Sequence, residues 1–115
     1  NQKINMCGKY NIVPLVCLRS TSDLLPLDFG SLSNRPIIGF EDPQEIGGEN
    51  ASDMRKIIEF YDQVHLKFPN GVQFIYGGSV GFGNANSLWQ REEIDGLLVG
   101  HHSLHPAELI NIALV

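Results

Sequence analysis

Short continuous apolar runs alternate along this chain with longer segments whose apolar residues recur every three or four positions. The clearest periodic segment stacks Met54, Ile57, Ile58, Tyr61, Val64 and Phe68 on one helical face. Asn50 or Ser52 can cap its first N–H groups, Asp53 suits its positive end, and Pro69-Asn70-Gly71 stops it. The continuous runs are Asn11–Arg19 (NIVPLVCLR), Arg35–Phe40 (RPIIGF), Val72–Tyr76 (VQFIY) and Ile94–Val99 (IDGLLV). Rich in branched and aromatic residues, they read as buried strands. Pro14 weakens the first half of the first run, because proline donates nothing to a ladder. Gln2 to Tyr10 closes on Gly8-Lys9 like the last turn of a helix. Thr21 to Asn34 reads as a loop or a short, poorly formed helix, and Asn84 to Arg91 as a short helix. Pro106 opens a last helix reaching Leu114.

The order is strand, turn, helix, repeated, which predicts an α/β fold with a parallel sheet covered by helices. Each strand is followed by glycine or a polar residue, so chemistry is expected at the strands' C-terminal edge. With 115 residues the chain holds one domain at most, and 43% hydrophobic against 18% charged residues is a globular composition. Eight Lys plus Arg against 13 Asp plus Glu leave a net charge of −5, which argues against nucleic-acid or anionic-membrane partners. An anionic ligand must then be held by local dipoles. No apolar run approaches the ~20 residues of a membrane span. Cys7 and Cys17 are too few for a disulfide framework, which fits a reducing cytoplasm. The start, Asn1-Gln2-Lys3-Ile4-Asn5, has neither Met nor an apolar leader, and reads as a piece of a longer chain.

Three strands lead into glycine-bearing turns: Ile46-Gly47-Gly48, Gly77-Gly78-Ser79 and Gly100. Glycine lets the backbone approach a ligand, and free N–H groups at a turn or helix start bind phosphate. Any one of these turns is an ordinary tight connection; three at one sheet edge suggest an anion pocket. Glu41 sits at the rim of that edge. Alone it is a cap partner or a solvated charge; beside a water-poor pocket it is a candidate general base. His101, His102 and His105 form an HHxxH run. Metal needs three or four convergent ligands with outer support, and no Cys, Asp or Glu lies in that run, so no metal is assigned to it. Cys17 reads as a packed small hydrophobe rather than a nucleophile.

The segments Phe40-Glu41-Asp42-Pro43-Gln44-Glu45-Ile46-Gly47-Gly48, Tyr76-Gly77-Gly78-Ser79-Val80 and Asp95-Gly96-Leu97-Leu98-Val99-Gly100, with Ser103-Leu104 and Pro106, follow one another in a telling order. From about Val13 to the end the chain resembles the triosephosphate isomerase family. The resemblance implies that residues 1–115 are the C-terminal half of a single (β/α)8 barrel domain, from its fifth strand to its eighth helix, a fold of about 250 residues. It implies an isomerase that interconverts D-glyceraldehyde 3-phosphate and dihydroxyacetone phosphate in glycolysis and gluconeogenesis. That family works in the cytoplasm as a homodimer, with no cofactor and no metal.

By position, Glu41 resembles the base that moves a proton between the two carbons at the substrate carbonyl. Gly47 of the lid, Ser79, Gly100 and His101 resemble the donors to the substrate phosphate, and Tyr76 the residue that latches the closed lid. Cys17 resembles the cysteine that packs near the base. The family's lysine of the first strand and histidine of the fourth lie outside this chain. The departures are Asp42-Pro43-Gln44 where Pro-Val-Trp is common, Gly47-Gly48-Glu49 where Gly-Thr-Gly is usual, and Gly100-His101 in place of paired glycines. After Cys17 comes Leu18-Arg19-Ser20 where the family has x-Gly and then a glutamate. Two other readings remain open: a phosphate-binding homologue without isomerase activity, and a half-barrel that completes another polypeptide.

Overall fold

The computed structural model describes residues 1–30, 32, 34–44, 53–69 and 71–115. Its strands are β1 (Leu15–Leu18), β2 (Ile37–Phe40), β3 (Gln73–Tyr76) and β4 (Gly96–Leu97). Around them run helices α1 (Gln2–Lys9), α2 (Thr21–Leu24), α3 (Met54–Lys67), α4 (Phe82–Trp89) and α5 (Pro106–Ala113), with a 3₁₀ turn at His101–Leu104. The sheet order is β1-β2-β3-β4 and every neighbouring pair is parallel. Each parallel step is made by a crossover that carries a helix, as parallel pairing requires.

Register decides which side chains share a face. Leu15 pairs with Ile37, Cys17 with Gly39, Gly39 with Ile75, and Ile75 with Gly96. Because side chains alternate along a strand, Val16, Leu18, Ile38, Phe40, Phe74, Tyr76 and Leu97 point to the opposite face. That second face is the core. Ile38, Phe74 and Tyr76 have no exposed surface, and Ile57, Phe60 and Val64 of α3 are buried against it. Phe60 stacks on Phe40 with ring centroids 4.3 Å apart. The other face is open: Leu15 keeps 46% of its surface and Cys17 is exposed.

The elements differ from the expected ones at their ends, for local reasons. β1 begins at Leu15 because Pro14 has no N–H, yet the Pro14 carbonyl still accepts from the Ile37 N–H at 2.9 Å. β4 is only two residues long: Ile94 turns into the core, and the Asp95 carboxylate accepts from the Phe74 N–H at 2.7 Å. α1 runs Gln2–Lys9 and ends at Gly8-Lys9 with Tyr10 as its cap, as the sequence indicates. Asp53 is itself the cap of α3, accepting from the Arg55 N–H at 3.0 Å, while Asn50 and Ser52 lie outside the described residues. α4 starts two residues early, since Asn84 is spent on its entry turn: the Asn84 side-chain oxygen accepts from the Gly81 N–H at 2.9 Å. Phe60, absent from the expected helical stripe, is drawn inside by Phe40. Among the described residues no helix is long and apolar enough to cross a membrane.

Candidate active site

Glu41 directly follows β2, and the ladder continues through it: its N–H donates to the Leu18 carbonyl at 2.9 Å. The Gly77 N–H donates to the Phe40 carbonyl at 2.8 Å, tying the start of the next turn to the same edge. Alternation then aims Glu41 to the open face, one residue after the fully packed Phe40. There its side chain crosses to β3. A Cβ built on Gly77 would lie 2.9 Å from Glu41 Cγ and 3.1 Å from Leu98 Cδ2. Only a residue without a side chain leaves room for the carboxylate at that place.

Cys17 is the neighbour of Glu41 on the other side. Its thiol, exposed rather than packed as the sequence suggests, lies within electrostatic reach of the Glu41 carboxylate. Although the residue is exposed, partial desolvation of the sulfur is the largest effect pushing the thiol's pKa up, and the negative charge of Glu41 pushes it further the same way. A thiol held protonated is a poor nucleophile and a serviceable donor to a carboxylate.

Asp42 points the opposite way, into the core, and is 4% exposed. Its Oδ1 accepts from the Gln44 N–H at 3.0 Å, and its Oδ2 lies 2.6 Å from Lys56 Nζ in the first turn of α3. These residues, with Arg19, Phe40, Pro43 and Phe60, line a cleft of about 750 Å³ beneath the strand end. Neither Asp42 nor Lys56 stands out in the sequence. A carboxylate just past a strand reads as rim charge, and its partner lies 14 residues away.

Of the expected phosphate donors, Ser79 and Gly100-His101 occupy adjacent loops at the same sheet edge, after β3 and β4. Asn84 shapes the first loop, donating to the Ser79 carbonyl at 2.7 Å while accepting from Gly81. His102 joins the two loops. Its Nε2 lies 3.0 Å from where a Gly81 Cβ would stand, and its Nδ1 is 2.6 Å from Glu108 Oε2 in the first turn of α5. That hydrogen bond is the main cause holding the Glu108 carboxyl below its ordinary range, helped by the other two histidines. The His101 ring is exposed, 5.7 Å from His102 and 5.9 Å from His105 between centroids. Among the described residues no three His, Cys, Asp or Glu side chains converge as metal ligands.

Tyr76 is fully buried on the core face, its ring tilted against Phe40 at 6.2 Å, and its hydroxyl reaches under the Gly78 backbone. Gly47 lies outside the described residues. Asn84, Asp42 and Lys56 carry no role in the sequence reading, and His102 only its place in the HHxxH run. For Asn84 a signal existed, since an amide three residues after a turn glycine is a helix-entry pattern.

Comparison with known proteins agrees with this arrangement. The family model for triosephosphate isomerase matches residues 34–115. A triosephosphate isomerase of Nostoc punctiforme is 31% identical over 100% of this chain and 55% of its own length, and that of Gloeothece citriformis is 26% identical over 97% and 53%. The chain thus spans about half the length of the curated relatives it matches. The crystal structure of triosephosphate isomerase from Bartonella henselae superposes with a TM-score of 0.75 at 22% identity, covering 96% of this chain and 54% of that one. The four parallel strands and their helices are therefore half of a (β/α)8 barrel. With the family model spanning β2 to α5, including the Glu41 edge and both glycine loops, this chain belongs to the triosephosphate isomerase family.

Proposed function

We propose that this chain supplies the base and most of the phosphate loops of an isomerase acting on D-glyceraldehyde 3-phosphate and dihydroxyacetone phosphate, as part of a polypeptide or assembly that completes the barrel. The observation that carries the reading is Glu41 on the open face, lodged over the bare backbone of Gly77, two residues before Ser79. In the completed barrel that face becomes the interior and its C-terminal rim the substrate site. Glu41 takes the proton from the carbon next to the carbonyl, leaving an enediolate, and returns it to the neighbouring carbon while the hydroxyl proton passes from one oxygen to the other, so no proton is gained or lost overall. The N–H groups of Gly47, Ser79, Gly100 and His101 hold the phosphate dianion, and Tyr76 latches the lid that closes over it. In this reading the lysine and histidine that complete the chemistry come from the other half of the barrel, and the assembled protein is a cytoplasmic homodimer in central sugar metabolism that needs no metal or cofactor.

One observation favours a second reading. His101 puts a side chain where the family carries a second glycine beside the phosphate donors, which suits a phosphate binder that has lost turnover. The test is to supply the completed protein with glyceraldehyde 3-phosphate and follow dihydroxyacetone phosphate. Turnover is expected; saturable binding of a phosphate analogue without turnover would establish the binder instead.

A further inference from the structure

We infer that Asp42 and Lys56 are positioning residues that set the direction of Glu41, an inference that rests on the reading of Glu41 as the base. The segment leaving β2 is clamped from both sides of the sheet. Backbone bonds from Glu41 to Leu18 and from Gly77 to Phe40 fix it in the plane. Below the plane, one oxygen of Asp42 closes a turn onto the Gln44 N–H and the other reaches Lys56 on α3. Asp42 is the adjacent residue, so strand alternation makes the two carboxylates antipodal: a rotation that freed Asp42 from α3 would swing Glu41 off the open face.

The choice of residues fits a directing role better than a stabilising one. An apolar pair of similar volume would hold the chain to α3 at least as firmly, because an ion pair must offset the desolvation of both charges. What the pair adds is geometry. A short carboxylate with both oxygens engaged tolerates little rotation, whereas an apolar contact tolerates several rotamers. Lys56 sits on the first turn of α3, three residues after the Asp53 cap, so its ammonium is carried by a helix whose start is itself fixed. The device thus runs from the core of the half-barrel to the carboxylate at its rim.

Cys17 reports on the direction of Glu41 without any turnover assay, since the negative charge of that carboxylate raises the thiol's pKa. The experiment is site-resolved alkylation of Cys17 by iodoacetamide across a pH series, on this chain kept dilute, in wild type and in Lys56→Met, Lys56→Arg and Glu41→Gln. Lys56 is half exposed, so its truncation leaves the core packing in place. If Lys56 positions Glu41, Lys56→Met frees the carboxylate from the thiol, and alkylation near neutral pH speeds up by about threefold or more as the thiol titrates lower. Loss of the Lys56 charge acting only through space predicts the reverse, a slower reaction, because a cation nearby favours the thiolate. Lys56→Arg should keep the wild-type rate. Glu41→Gln should also accelerate alkylation and marks the full effect. An unchanged or slower rate in Lys56→Met overturns the inference, and so does an unchanged rate in Glu41→Gln. As a second readout, Lys56→Met in the completed enzyme should lower kcat about tenfold with KM nearly constant, and Lys56→Arg should restore it. A completed protein without isomerase turnover defeats the reading of Glu41 as a base, yet leaves the alkylation result to decide the positioning on its own.

Discussion

On the covered face of the sheet Ile38, Phe74 and Tyr76 expose nothing, while on the open face Leu15 keeps 46% of its surface and Cys17 is exposed. Both faces are built from the same strands and both are apolar along most of their length. The difference lies in what this chain brings to each. α3, α4 and α5 cover one side with Ile57, Phe60, Val64, Leu88 and Ile112. The other carries the candidate chemistry, Glu41 and Cys17, over the bare backbone of Gly39 and Gly77. Packing therefore lies on one face and the candidate chemistry on the other. The residues between them, Asp42 and Lys56, couple the two.

The comparison breaks most readily in the core. Phe74→Ala, at a residue with no exposure, should destabilise the chain by about 3–5 kcal/mol in urea unfolding. Leu15→Ser on the open face should change the stability of this chain by less than about 0.5 kcal/mol. Comparable losses for both would mean the open face is covered in solution.

Next in size is Gly77→Ala. The new Cβ would stand 2.9 Å from Glu41 Cγ, so the flexible carboxylate side chain moves while the core stays as it is. In the completed enzyme kcat should fall about tenfold or more, since small displacements of a catalytic group are costly, with the unfolding midpoint little changed. A full-rate Gly77→Ala enzyme would show that Glu41 works from some other position.

His101→Gly should have a smaller effect. The His101 ring is exposed beside the proposed phosphate donors, where a ring N–H can donate to the anion. Binding of a phosphate analogue should weaken a few-fold. Equal or tighter binding would make His101 a tolerated substitution with no part in holding the anion.

The smallest effect is expected at Glu108. The His102 hydrogen bond holds its carboxyl below the ordinary range, so this contribution exists above the unfolded-state value of about 4.3 and is lost as pH falls through the lower folded value. Glu108→Gln should therefore unfold slightly earlier than wild type near neutrality in low salt, and identically in acid. The pair is exposed, so added salt should erase the difference. A gap that persists in acid would point to packing rather than charge.

The order of strands and helices was legible because each element carries its own period. The three- and four-residue spacing from Met54 to Phe68 fits a helix, and VQFIY fits a short strand by its length, its branched and aromatic residues and the glycines on either side. The segments around Glu41, Ser79 and Gly100-His101 stood out through motif order, and the topology sets them along one edge of the sheet. Contacts between distant positions were not. Asp42 looks like a solvated rim charge until α3 brings Lys56 to it, and His102 looks like one of three similar histidines until Gly81 and Glu108 surround it. Strand ends were illegible for a related reason: β4 is cut to two residues where Ile94 turns into the core and the Asp95 carboxylate takes the Phe74 N–H, partners that only the fold supplies.

The most direct test of the account is turnover of the completed enzyme with Glu41→Gln. The amide fills nearly the same space over Gly77 but cannot accept the substrate proton. The account predicts a fall in kcat of at least about 10²–10⁴, with KM nearly unchanged because the phosphate loops are intact. Equal turnover in wild type and Glu41→Gln would contradict it, and would move the base off this chain's open face altogether.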